Sequence, residues 1–222
     1  MKKHVLILVA FAFSILAVHA QIKEGSITYS MKFEGMSKEE SAMMGDMKLV
    51  STFKNGNTRT EMSSLAFKNI NVMNSEGFTM LMESMGNKMA LKQSKEELKK
   101  FAESKVQLTP KIEYTNEKKT IAGYECKKAI VSFFQNNVEE KMVMWYSDKF
   151  INPNIEGDDW GQSFMKGLKG LPFEYSMQQG NMKFSIEATA ISTAPVDDKL
   201  FKVSTDGYRL ISMQELEAMQ GN

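Results

Sequence analysis

Histidine is almost missing from this chain. There are two in 222 residues, His4 and His19, and both fall within the first twenty. Those twenty residues read as a secretory leader: Lys2 and Lys3 give a basic start, Val5 to Ala17 an apolar stretch, and Val18-His19-Ala20 the small residues of a cleavage site. The expected mature chain starts at Gln21, in a periplasm or outside the cell, and holds no histidine. That excludes Ser-His-Asp and Cys-His nucleophile pairs and removes the commonest metal ligand. Cysteine is nearly as scarce. Cys126 stands alone, so no disulfide can form within the chain. The apolar stretch near the start is shorter than the ~20 residues of a membrane span, and no later stretch approaches that length, so no transmembrane anchor is expected. A basic block is missing too. The 28 Lys and Arg balance 27 Asp and Glu, which argues against nucleic acid as a partner. GxSxG, Walker A and dinucleotide fingerprints are absent, so neither an enzyme nor a cofactor is expected.

Alternation is what the sequence has in abundance. Ile27, Tyr29, Met31 and Phe33 fall on one side of a strand, opposed by Thr28, Ser30 and Lys32. Phe184, Ile186, Ala188 and Ala190 repeat the two-residue period, as do Ala129, Val131 and Phe133, and Met142, Met144 and Tyr146. In the last of these Val143 and Trp145 make the reverse side apolar as well, so that strand is expected to be covered on both sides. Turn residues at Asn55-Gly56, Gly86-Asn87, Asn136-Asn137 and Gly180-Asn181 predict antiparallel pairs of 47–54 with 58–63, 78–84 with 87–92, 124–134 with 138–146, and 171–178 with 182–193. Nine to eleven strands are expected. Ser37…Glu40, Ser94…Glu97 and Ser212…Glu215 match the capping box that opens a helix. A further short helix is expected near Asp158-Asp159, and the helix after Ser212 is expected to fray. The prediction is a single α+β domain over 21–222: an antiparallel sheet with a few helices on one side.

Candidate chemistry is sparse. Glu139 and Glu140 are strand neighbours and point to opposite faces; Asp197-Asp198 reads as surface charge. Asn152-Pro153-Asn154-Ile155-Glu156-Gly157 has a faint likeness to the start of a calcium loop, with the wrong residues at its key positions. Cys126 reads as a small buried hydrophobe, with an intermolecular disulfide as the alternative. Methionine is the unusual feature, 19 in all. It fits three readings: ordinary core filling, an adaptable apolar cavity, or Cu(I) binding through thioethers. The predicted metal ligands are none. For the cavity, the expected lining is Tyr29, Met31, Phe33, Met80, Met82, Met142, Met144, Tyr146, Phe173, Tyr175, Phe184 and Ile186, with Val143 and Trp145 as alternatives to the last three on their strand, Met142, Met144 and Tyr146.

Four segments also carry a resemblance. Thr120-Ile121-Ala122-Gly123-Tyr124-Glu125-Cys126-Lys127-Lys128-Ala129, Met144-Trp145-Tyr146-Ser147-Asp148, Gly170-Leu171-Pro172-Phe173-Glu174-Tyr175 and the stretch from Val196 to Val203 resemble an uncharacterised exported domain-of-unknown-function family of Gram-negative envelope proteins. That family is similar in layout to the LolA/LolB-like lipoprotein carriers. The resemblance implies a strongly curved, half-open antiparallel barrel with helices plugging its concave side. It implies a hydrophobic small molecule, a lipid or a lipidated envelope protein as cargo, and no catalytic residues. The function expected is therefore non-enzymatic binding of a lipid or acyl chain in the cell envelope. A scaffold with a filled core and a methionine-based copper binder stand as alternatives.

Overall fold

The computed structural model describes residues 21–35, 47–104, 110–135, 138–152, 165–179 and 182–219. The leader, the capping box at Ser37…Glu40, the turns at Asn136-Asn137 and Gly180-Asn181 and the helix expected near Asp158 lie outside these residues. The described chain forms twelve strands: β1 (Glu24–Glu34), β2 (Lys48–Lys54), β3 (Asn57–Ser63), β4 (Phe67–Met73), β5 (Gly77–Ser84), β6 (Asn87–Ser94), β7 (Lys111–Ile121), β8 (Tyr124–Gln135), β9 (Val138–Ser147), β10 (Leu171–Gln179), β11 (Met182–Ser192) and β12 (Arg209–Leu210). They make one open, curved sheet in the order β12-β6-β5-β4-β3-β2-β1-β11-β10-β9-β8-β7. Every pairing is antiparallel except β12 with β6. All four predicted hairpins form. The α+β expectation needs correction in proportion: the molecule is mostly β, with two α-helices among the described residues, α1 (Lys95–Ser104) and α2 (Met213–Met219).

Three two-residue turns reverse the chain with positive φ at both positions, the geometry that matches strand twist. Asn55-Gly56 was legible in advance. Met85-Gly86 shifts the next turn back by one residue from its expected place, and Ala122-Gly123 puts alanine where asparagine or glycine is usual. Gly170 has a different reason to be glycine. A Cβ there would sit 2.3 Å from the Ser147 carbonyl oxygen, so only a bare backbone lets β10 enter beside β9.

Both described capping boxes close. The Ser94 N–H donates to Glu97 Oε2 at 2.8 Å, and the Glu97 N–H donates to Ser94 Oγ at 3.2 Å. The same pair of bonds joins Ser212 and Glu215. Helix α1 lays Leu98 and Phe101 on Phe78, Met80 and Leu91 of the sheet. Helix α2 does not hang loose as expected. Its Met213 and Leu216 are buried in that same cluster, together with Ile211.

The chain reaches α2 by an unusual route. After β11 it crosses the opposite face of the sheet, where Val196, Phe201, Val203 and Tyr208 cover Ile70, Val72, Leu81 and Ala90. Polar bonds fix this strap. Lys54 Nζ donates to the Val196 carbonyl at 2.7 Å, Arg59 to that of Leu200 at 3.3 Å, and Asn74 to that of Phe201 at 2.8 Å. A 3-10 turn, Asp198–Phe201, is capped by Asp197. The strap then adds β12 to the edge of β6 and turns the corner into α2. At the far edge, the pairing of β7 with β8 shifts between Tyr114 and Lys118.

Phe201 is the strap's anchor, and Leu200 beside it is exposed. Phe201→Ala is expected to lower unfolding free energy by about 3 kcal/mol, and Leu200→Ala by no more than about 0.5 kcal/mol. Urea denaturation of the two variants checks this.

Candidate functional site

Directly opposed residues on antiparallel strands share a face, so the register sorts every side chain. One row runs Tyr29, Leu49, Met62, Asn69, Met82, Met89 across six strands. The next runs Ile27, Ser51, Thr60, Asn71, Met80, Leu91. In the other direction Met31 faces Ile186, which faces Tyr175, then Met144, Ala129 and Tyr114. These rows define the inner face, the one that α1 and α2 pack against. Every residue of the expected lining that has a ladder partner lies on it, and Phe173, in the bulge between Pro172 and Glu174, is buried in one cluster with Ile27, Tyr29 and Ile186 of that face. Phe173 also joins aromatic rings within that cluster. Its ring lies 5.4 Å from Phe150 and 6.0 Å from Tyr124, and Phe150 reaches Phe53 at 6.2 Å.

Charge is sorted as cleanly as apolarity. At the inner positions of β1 to β6, β10 and β11 there is no Asp, Glu, Lys or Arg. The outer positions of the same strands carry the ion pairs Arg59–Glu61 and Lys68–Glu61, both 2.9 Å, Lys88–Glu83 at 3.6 Å and Lys183–Glu34 at 3.3 Å. The alternatives Val143 and Trp145 also belong outside. Val143 is 42% exposed, which corrects the expectation of a strand covered on both sides. Trp145 lies half-buried under the ammonium groups of Lys119, 4.4 Å from its ring, and Lys128, at 6.0 Å.

The inner face is covered at both ends. Helices α1 and α2 seal Met80 at one end. At the other, Met165 and Leu168 close over Met142, Met144, Tyr146, Ala129 and Val131. Tyr29 and Ile186 are buried between these ends. The Tyr29 hydroxyl donates to the Pro172 carbonyl at 3.0 Å. Beside them Met31, Phe33, Leu49, Met62, Tyr175 and Phe184 are only half-buried. The rings of Phe33 and Phe184 meet at 6.4 Å. Completing the burial of one such side chain is worth at most about 1 kcal/mol, roughly a third of the full value.

Sequence reasoning missed part of this surface. Leu49, Met62, Ser51, Thr58, Thr60, Asn69 and Asn71 share the inner face, and each is half-buried. The signal was present in β3, where Thr58, Thr60 and Met62 alternate with Arg59 and Glu61. In β4 it points the wrong way, because apolar Ile70 and Val72 face the strap and the asparagines face inward. Asn71 Oδ1 is closed off from solvent and makes no hydrogen bond, a condition that costs about 1–3 kcal/mol.

The remaining candidates resolve simply. Asn152 is buried and donates through Nδ2 to the carbonyls of Met165 and Leu168, at 3.3 and 3.1 Å. It clips the chain together, while Pro153 to Gly157, the rest of the segment with a faint calcium-loop likeness, lie outside the described residues. Met80 and Met82 belong to a different cluster from Met142 and Met144, so the two methionine pairs do not converge. Among the described residues no three His, Cys, Asp or Glu side chains gather as a metal-holding group. Glu139 and Glu140 are both exposed. A cavity of about 250 Å³ opens between the ends of two hairpins, Ser64–Lys68 and Glu83–Lys88. None of the expected lining residues borders it.

No family model and no curated protein match this chain. A solved structure with some likeness is the crystal structure of LprF from Mycobacterium bovis. It is 10% identical, covers 78% of this chain and 88% of that one, and superposes with a TM-score of 0.32. A likeness of that order fixes neither fold nor function.

Burial leaves measurable marks on this core. It pushes the phenols of Tyr175 and Tyr146 up to about 12 from the ordinary value of 10.0. The unfolded chain therefore ionises first. The contribution of these two phenols to stability is expected to be level below pH 10 and to fall as pH rises from 10 to about 12. Urea midpoints measured across that window test the sign. Burial likewise pushes the Cys126 thiol up to about 11. At about pH 8 a thiol-reactive dye is expected to label the native protein at least about a hundredfold more slowly than the urea-unfolded chain.

Proposed function

We propose that this protein is exported and holds an apolar ligand, a lipid or acyl chain, against the inner face of its sheet without catalysing a reaction. We read residues 21–222 as one domain of the open half-barrel kind seen in LolA-like carriers, with the leader removed near Ala20 and the mature protein working in a periplasm or outside the cell. One observation carries the reading: the inner positions of β1 to β6, β10 and β11 hold no formal charge, while a stretch of them stays half-buried. An unbroken charge-free surface over so many strands belongs either to a fully packed core or to a place where something apolar rests. Half-buried Met31, Phe33, Leu49, Met62 and Phe184 favour the second. Methionine suits such a surface because its unbranched thioether adapts to ligands of varied shape.

The competing reading is an envelope scaffold with a filled core. It draws on Tyr29, Met80, Met142, Met144, Tyr146, Phe173 and Ile186, all of which are buried. Solvent extraction of protein purified from its native host, followed by lipid mass spectrometry, separates the two. The carrier reading expects a reproducible co-purifying lipid and uptake of the uncharged dye Nile red. Phe184→Glu, which sets a charge on the half-buried stretch, is expected to weaken dye binding at least about tenfold. Empty protein that ignores the dye supports the scaffold.

A further inference from the structure

We propose that the ligand of the inner face is an uncharged, hydroxyl-bearing lipid of the acylglycerol type, with its head read by Ser51, Thr60 and Asn71. This rests on the reading just given and narrows it. The three residues are directly opposed on neighbouring strands β2, β3 and β4. Strands lie about 4.8 Å apart, so the row spans about 10 Å, the size of a glycerol head with its first ester. Apolar residues bracket it: Ile27 lies beyond Ser51 and Met80 beyond Asn71.

The chemistry of the row is specific. Serine and threonine hydroxyls both donate and accept, and an asparagine side chain offers an accepting carbonyl and a donating amide. Asn71 Oδ1 is enclosed without a hydrogen bond, so on binding the half-buried side chain must turn and present that carbonyl to a lipid hydroxyl. Asn69 and Thr58 add neutral polar groups on the adjacent rungs. What the surface does not offer is a cation. No Lys or Arg occupies an inner position of β1 to β6. A carboxylate or phosphate head would therefore enter with no opposite charge to replace its water. Hydrocarbon tails find Met31, Phe33, Leu49, Met62 and Phe184 on the neighbouring rungs, whereas the head stays with the neutral polar row.

Displacement of Nile red from the purified protein tests this with three ligands that share an oleoyl chain: monooleoylglycerol, ionised oleate at about pH 8, and lyso-phosphatidylglycerol. Monooleoylglycerol is expected to displace the dye at about tenfold lower concentration than either anion, the effect of roughly one net hydrogen bond. Asn71→Leu and Thr60→Val, each first shown by circular dichroism to fold, are expected to reduce that preference to within about twofold while dye binding persists. Equal displacement by all three lipids, or an unchanged preference in both variants, overturns the head-group assignment and leaves the apolar-ligand reading standing. Failure of the wild-type protein to bind dye or any of the lipids overturns both.

Discussion

Strand register is the constraint on which everything else in this molecule depends. Because side chains alternate with a period of two, a slip of one residue at any ladder would carry the charged set inward and the apolar set outward. Here the ladders hold alignment from β6 through β1, and beyond it the register shifts between Thr28 and Tyr29, between Pro172 and Glu174 and, at the far edge, between Tyr114 and Lys118. The first lets β1 and β11 stay matched, Phe33 against Phe184 and Ile27 against Ile191. The second turns Phe173 into the aromatic cluster with Tyr124 and Phe150.

The two faces are finished by different means. Inside, among the described residues, helices and the Met165–Leu168 stretch cover the ends, and side chains between them are half-buried. Outside, one extended strap buries Ile70, Val72, Leu81 and Ala90, and then crosses the edge to deliver α2 to the inner side. A single length of chain thus clasps both faces of β5 and β6. The clasp explains why a short terminal helix with few apolar residues is well packed: it is held by the strap, by Ile211 bonding through its N–H to the Ala90 carbonyl at 2.9 Å, and by its own capping box.

Much of the architecture was legible in the sequence because it is written locally. Hairpins follow from alternation between turn residues, and α1 and α2 from Ser-x-x-Glu boxes. The shared face of Tyr29, Met31, Met80, Met144 and Phe184 could be guessed from period-two patterns in separate segments, although only pairing proves that separate strands present the same side. What could not be read was anything decided by a distant partner. Asn69 and Asn71 face inward because the strap, more than a hundred residues later, gives Ile70 and Val72 a better place outside. The burial of Asn152, whose amide bonds with the carbonyls of Met165 and Leu168, depends on residues more than ten positions away. Met85 and Ala122 take turn positions usually left to asparagine or glycine, because the flanking ladders leave no other residue to reverse the chain.

An unclosed sheet has two borders, and every border is an invitation for another strand to add itself. One is shut by the two-residue β12 and the turn into α2. The other, β7, loses its alignment between Tyr114 and Lys118 and carries Lys111, Glu113, Glu117 and Lys118. A broken ladder studded with charge is a poor template. The same irregularity that interrupts one hairpin therefore discourages chain-to-chain zippering along that flank.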